Sequence, residues 1–164
     1  MSRSVWVALV LAVATASQAD ERSLQMPNGN TVTYRLVEQG EQSAHPVAMQ
    51  VLTFLAAGRI DEAAQLSNEP ARRAEVLRDY VLMVGDAEFR RVYGQYLEPR
   101  NQVVAEFAMG PRRLLIWKLE TAGNRLAGQY YIEADGKFLM DDRAGPERLA
   151  LQRVLAEHRK QTGR

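Results

Sequence analysis

The spacing of apolar residues changes along the chain, from a helical period before residue 100 to a strand-like period after it. In the first part apolar side chains recur every three or four positions, as in Leu77, Tyr80, Val81 and Val84, which predicts amphipathic helices. In the second part they alternate with polar residues, which predicts β-strands. This order predicts an α+β fold in which several helices pack on a curved antiparallel meander.

Proline and glycine mark the ends of the predicted elements. Proline suits the first turn of a helix and glycine its end, and the helices are expected at residues 46–57, 61–66, 70–84, 86–97 and from Pro146 onward. The meander is expected to have four strands, at residues 102–109, 113–120, 126–133 and 137–141. A separate hairpin is predicted around Asn28-Gly29, because Asn-Gly favours tight turns between strands. The helices before the meander are expected to cover one face of it.

The first 19 residues have the order of a secretory signal peptide. Arg3 supplies a positive charge, an apolar run follows from Val5 to Ala16, and small residues precede the polar Asp20. Cleavage is expected after Ala19 or after Ala16. The apolar run is shorter than the roughly 20 residues that span a bilayer. We therefore expect a periplasmic or secreted protein, with residues 20–164 forming one α+β domain and no stable membrane insertion after cleavage.

Composition removes several functional classes. The chain has no cysteine and only 2 histidines, which excludes thiol catalysis and cysteine-ligated zinc. No carboxylate cluster or glycine-rich phosphate loop is evident, so no metal and no cofactor are predicted. The 21 basic residues include Arg3, and its removal leaves 20 against 20 acidic ones. A nucleic-acid partner is not expected, because such binders usually carry a basic excess.

Three residues are candidates for catalysis. If Asp135-Gly136 is a two-residue turn, Tyr130 pairs with Asp141 on one face of the hairpin. Desolvation could then raise the pKa of Asp141 and make it a general base, with Glu106 as a second candidate. The alternative is that Asp141 is a rim carboxylate that satisfies the tyrosine hydroxyl.

Five aromatic residues are candidates for binding an amphipathic ligand, because aromatic walls hold flat molecules and hydroxyls orient them. They are Tyr80, Tyr93, Tyr96, Trp117 and Tyr130. The alternative is an ordinary core, since burying each ring contributes about 2 kcal/mol without any ligand.

Two segments carry a family resemblance: VLTFLAAGRIDEAAQL at residues 51–66 and YYIEADGKFLMDD at residues 130–142. They resemble the first helix pair and the last hairpin of the nuclear transport factor two-like superfamily, cystatin-like α+β cones. The resemblance implies a curved sheet around a long helix, with a pocket at the open end. Members include isomerases, hydratases and non-catalytic binding modules, among which fold cannot choose. Residues 71–97 depart from the family pattern, so no catalytic residue is carried over.

These observations favour an exported binding module without catalytic activity. Its expected partner is a protein, with an inhibitor or immunity protein against a secreted toxin or hydrolase as one version, or a small amphipathic ligand. Two alternatives stay open: a pocket enzyme of the isomerase or hydratase type, and a structural envelope component that forms oligomers.

Overall fold

The computed structural model describes residues 20–162; the predicted signal peptide lies outside them. The helices and strands are, in chain order, β1 (Glu21–Gln25), β2 (Thr31–Leu36), α1 (His45–Ala56), α2 (Ile60–Ala64), α3 (Pro70–Val84), α4 (Asp86–Gly94), β3 (Gln102–Met109), β4 (Arg112–Leu119), β5 (Arg125–Ala134), β6 (Lys137–Met140) and α5 (Pro146–Gln161). Short 3-10 turns cover Gln95–Leu97 and Glu120–Ala122. The predicted α+β class is confirmed. Within the described range, no helix has both the length and the apolar character needed to cross a membrane.

The sheet has six antiparallel strands in sequence order, from β1 to β6. The prediction of a four-stranded meander with a separate hairpin is therefore wrong. Strand β2 pairs with β3 through Arg35 with Ala108 and Leu36 with Phe107, and Val37 N–H donates to the carbonyl of Glu106 at 2.8 Å. This pairing joins segments some seventy residues apart. It is made by backbone groups, which are the same in every residue, so the sequence pattern does not reveal which strands pair.

Strand β4 lies in the middle of the structure and is buried on both faces. Leu115 and Trp117 point into the core under α1, whereas Leu114 and Ile116 belong to a second core under α5. Alternate residues of a strand face opposite sides of a sheet, so α1 and α5 cover opposite faces. The helices before β3 pack on one face of the sheet, as expected, and α5 covers the opposite face.

The turn between β5 and β6 has the predicted form. Ala134 pairs with Lys137 and Ile132 with Leu139, while Asp135 and Gly136 take positive φ angles of 51° and 73°. Two successive left-handed residues are typical of a type I′ hairpin turn. The register continues past the strand, since Asp141 N–H donates to the Tyr130 carbonyl at 2.9 Å.

Candidate functional site

The space between α1 and the sheet is filled by side chains. Leu52 of α1 and Leu115 of β4 are completely buried, and Trp117 and Tyr131 are each only 1% exposed. Trp117 Nε1–H and the Tyr131 hydroxyl both donate to Gln129 Oε1, at 3.0 and 3.1 Å. Because these polar groups satisfy one another, the interior is a closed core, and open volume lies at its margins.

The larger opening is a cleft of about 740 Å³ beside the start of α1. Its lining combines aromatic and apolar side chains with four glutamates, and none of the described residues that line it is a lysine or arginine. The aromatic and apolar residues include His45, Met49, Tyr96, Val103 and Trp117, and the glutamates are Glu38, Glu41, Glu98 and Glu106. The guanidinium of Arg35 donates two hydrogen bonds to the Glu41 carboxylate, of 2.7 and 2.6 Å. That side-chain hydrogen bonding holds the pKa of Glu41 below its usual value.

Glu106 lies in this cleft but is bound into the start of α1. Its Oε1 accepts the Ala44 N–H at 2.9 Å, and its Oε2 accepts the Ser43 hydroxyl. Arg113 is a more distant partner, with 3.9 Å between Nε and Oε1. These contacts give the carboxylate a structural part in the fold, because they satisfy donors at a helix start that no side chain of the helix itself caps.

Ser43, His45 and Glu106 line the same cleft without forming a catalytic relay. The Ser43 hydroxyl oxygen accepts the backbone N–H of His45 at 3.0 Å, while the His45 ring packs against Trp117 with 5.8 Å between ring centroids. In residues 20–162, no hydrogen bond joins the imidazole to Ser43 or Glu106. A histidine base must reach the nucleophile's proton, and here the ring faces elsewhere.

A smaller cavity of about 260 Å³ lies at the edge of β5. It has a tyrosine-rich wall and two arginines; its lining includes Tyr93, Tyr96, Tyr130, Tyr131, Arg73 and Arg148. Burial raises the pKa of Tyr93, Tyr96 and Tyr130 above its ordinary value. Their hydroxyls therefore remain protonated hydrogen-bond donors at neutral pH.

Asp141 also borders the small cavity, where its carboxylate is held by two partners. Arg112 Nε lies 3.0 Å from Oδ2, and Asn68 Nδ2 lies 2.8 Å from Oδ1. The side chain of Asp141 is fully buried. The neighbouring Asp142 is bound by Arg73, whose Nε lies 2.8 Å from Oδ2. Both aspartates are thus matched by arginines, and the Tyr130 hydroxyl is not a partner of Asp141.

Arg148 differs from these arginines because no carboxylate within the described residues forms an ion pair with it. Its guanidinium lies over the Tyr130 ring, with 3.7 Å from Cζ to the centroid, and donates to the Asp141 carbonyl. Its Nε is buried and has no hydrogen-bond partner in the described part of the chain. Burial lowers the pKa of Arg148 below its ordinary value, but an arginine stays charged at neutral pH.

The five predicted aromatic residues are divided among three places. Trp117 and Tyr96 meet edge-on at 5.4 Å in the large cleft, and Tyr96 also reaches the small cavity together with Tyr93 and Tyr130. Tyr80 lines neither opening and packs with Phe89 and Tyr93 between α3 and α4. The catalytic candidates are also separated: Glu106 is in the cleft and Asp141 beside the cavity.

Sequence reasoning missed Ser43, His45 and Arg148. Ser43 lies one residue before Ala44, the N-cap of α1, and its hydroxyl accepts the His45 N–H; a serine this close to a predicted helix start was a usable signal. His45 and Arg148 carried none, because each gains its environment from a strand distant in sequence. Arg148 meets Tyr130 only because α5 folds back over β5.

Comparison with known proteins identifies no family and no function for this chain. The chain matches no protein-family model, no curated protein and no solved structure at a significant level. Within residues 20–162, no group of three or more potential ligands is placed to hold a metal ion. Function must therefore be argued from the cleft, the cavity and the charges around them.

Proposed function

We propose that this protein is an exported binding module without catalytic activity, and that it binds a protein partner at the large cleft. The proposal is supported above all by the filled interior under α1, which leaves the surface openings as the places for recognition. Both candidate catalytic carboxylates support it too, because Glu106 and Asp141 each hold parts of the fold together.

The chemistry of the cleft indicates what the partner presents. The rings of Tyr96 and His45 pack on the buried Trp117 and form an aromatic floor, which suits an apolar or aliphatic side chain. The glutamates at the rim favour a positive charge. Arg35 neutralises Glu41, so the exposed Glu98 is the carboxylate best placed to meet a basic group. We expect the partner to insert a segment with a lysine or arginine, whose alkyl stem lies on the aromatic rings.

A secreted toxin or cell-wall hydrolase is one partner of this kind, for which the protein would be an inhibitor or immunity protein. This version rests on the predicted export of the chain and on the location of the cleft at the surface. The resemblance to the nuclear transport factor two-like superfamily remains a hypothesis beside it, and that superfamily includes non-catalytic binding modules.

A second candidate is a small amphipathic ligand in the same cleft. The volume of about 740 Å³ favours it, because small-molecule pockets span about 300–1,000 Å³. A cationic amphiphile would use the same aromatic floor and Glu98. The two candidates differ in the mass of the bound species, which native mass spectrometry measures directly.

The test is affinity capture from periplasmic extract of the producing cells, with two charge-reversal variants beside the wild type. Glu98→Lys places a positive charge at the cleft rim, and Glu75→Lys makes the same change on the exposed side of α3. We expect the wild type and Glu75→Lys to retain one stoichiometric partner that Glu98→Lys binds at least tenfold more weakly. Equal retention by all three proteins would contradict the cleft as the binding site.

A further inference from the structure

The edge of β5 beside the small cavity carries backbone groups that β6 does not cover. Asp141 N–H reaches the Tyr130 carbonyl, and Arg159 donates to the Leu126 carbonyl at 2.7 Å. Outward-facing groups recur every second residue along a strand. Gly128 lies midway between these two, so its N–H and C=O point outward into the gap that the cavity occupies.

The charged side chains around the cavity favour a ligand that carries a single negative charge. Arg112 pairs with Asp141 and Arg73 pairs with Asp142, which leaves Arg148 without a carboxylate partner in the part of the chain that the structure describes. Its buried Nε lacks a hydrogen-bond partner among the described residues, and leaving a charged donor buried without a partner is unfavourable. A carboxylate carries the single charge that balances Arg148, and it matches the planar fork of a guanidinium.

We propose that this cavity binds the carboxylate of an extended peptide segment, which pairs with the β5 edge at Gly128 and places its acidic end on Arg148. A peptide offers both the donor and the acceptor that the Gly128 backbone needs, whereas a small acid offers only the carboxylate. The volume of about 260 Å³ suits the end of a chain, being below the range of pockets that enclose whole ligands. Addition of a strand to an open sheet edge is an established mode of peptide recognition.

This site is separate from the large cleft, because Tyr96 is the one residue, of those the structure describes, that lines both openings. The inference therefore does not depend on the partner proposed for the cleft. A failure here leaves the capture experiment with Glu98→Lys unaffected, and the reverse also holds.

The probe is the peptide acetyl-Val-Thr-Val-Thr-Val with a free carboxyl end, titrated into the full mature protein labelled with ¹⁵N. Nuclear magnetic resonance follows the Gly128 and Tyr130 amides and the Nε–H of Arg148. We expect all three signals to shift with one common affinity. Three further titrations use the same peptide amidated at its end, the peptide with N-methyl groups on alternate residues, and acetate alone.

Amidation is expected to weaken binding at least tenfold through loss of the Arg148 contact, and N-methylation is expected to abolish the Gly128 shift. Acetate is expected to move the Arg148 signal alone, at a much weaker affinity. Equal binding of the amidated peptide, or no shift at millimolar peptide, would overturn the proposal. Acetate binding as tightly as the peptide would overturn its peptide part.

Three arginine variants complete the test. Arg148→Gln removes the guanidinium and should weaken the free-acid peptide at least tenfold, while Arg143→Gln makes the same change at an exposed position nearby and should not. Arg148→Lys retains the charge without the fork and should give an intermediate affinity. The amidated peptide on wild-type protein decides the question even if Arg148→Gln fails to fold. Equal weakening by the Arg143 and Arg148 changes would also contradict the site.

Discussion

The carboxylate of Glu106 on β3 accepts the backbone N–H of Ala44 at the start of α1, although 62 residues separate the two in sequence. Helix α1 has no side-chain cap of its own, and a negative charge near a helix N-terminus is favourable. Strand β3 thus supplies the hydrogen-bond acceptor that the N-terminus of α1 lacks. The contact also fixes one wall of the large cleft, because Glu106 and the residues around Ala44 line it together.

Replacement of Glu106 should destabilise the fold. Glu106→Ala leaves the Ala44 N–H and the Ser43 hydroxyl without their acceptor, so we expect the free energy of unfolding in urea to fall by about 1–3 kcal/mol. Glu106→Gln keeps one acceptor oxygen and should lose less. The control is Glu98→Ala on the exposed rim, which should change stability by less than about 0.5 kcal/mol. Equal losses of unfolding free energy for Glu106→Ala and Glu98→Ala would show that the contact between Glu106 and the start of α1 does not stabilise the fold.

Replacement of Asp141 should separate a structural role from a catalytic one. Asp141→Asn removes the charge that balances Arg112 inside the protein, and breaking a buried ion pair in this way costs about 3–5 kcal/mol. We therefore expect a large drop in the urea midpoint. Glu88→Gln is the matched change in the exposed pair with Arg91 and should leave the midpoint unaltered. An unchanged midpoint for Asp141→Asn would favour the catalytic interpretation of this residue.

Two glycines should respond in opposite directions to alanine. A Cβ on Gly128 would lie 2.7 Å from Leu155 Cδ2 and 3.1 Å from Leu114 Cδ1, so Gly128→Ala should destabilise by about 1–3 kcal/mol through overpacking. Gly94 ends α4, and its nearest neighbour would be Ala56 Cβ at 4.0 Å. Gly94→Ala should raise the unfolding free energy by up to about 1 kcal/mol. Thermal unfolding of both variants checks the pair, and a Gly128→Ala protein as stable as the wild type would contradict the packing of α5 on β5.

Stability should decrease in mild acid because of His158. Burial, assisted by the charge of Arg22, lowers the pKa of His158 below its usual 6.5, and its ring packs on Phe107 at 5.7 Å. The unfolded chain therefore binds the proton more readily. Stability from this group is complete above about pH 6.5 and is lost as the pH falls toward the lower folded pKa.

The test compares wild type with His158→Gln in urea at about pH 7.5 and pH 5.5, on either side of the ordinary histidine pKa. The wild type should lose more unfolding free energy than the variant between the two conditions. Carboxylates titrate in both proteins, so the difference isolates His158. Identical losses in both proteins would show that this ring is not desolvated in the fold.

Local patterns predicted most of the helices and strands, and the reason is visible in particular elements. The boundaries of β3 agree with the prediction, and α1 begins one residue before its proline because Pro46 occupies the first turn. The β5–β6 hairpin was predictable because Asp135-Gly136 determines its register locally. The helical pattern continued through Tyr96, whereas α4 ends at Gly94 and a 3-10 turn follows.

The candidate sites were less predictable than the elements that carry them. Tyr80, Tyr93 and Tyr96 pack against the core, as their helical spacing predicted. The division of the aromatic residues between the two openings depends on how the 3-10 turn Gln95–Leu97 and β5 meet. Asp141 was expected beside Tyr130, and its pairing with Arg112 and Asn68 was not foreseen. Those partners come from β4 and the segment before α3, and side-chain types alone do not reveal which charges meet.

The amino-acid sequence by itself determined the α+β class, the order of the elements and the tight hairpin, because periodicity and turn chemistry act over a few neighbouring residues. Tertiary structure alone decided that the N-terminal hairpin extends the sheet to six strands and that α5 covers the face opposite α1. It also decided that Arg148 lies over Tyr130 at an open strand edge, with no carboxylate partner between residues 20 and 162. These features depend on contacts between residues far apart in the chain, where packing and backbone pairing select one arrangement among many that the local patterns permit.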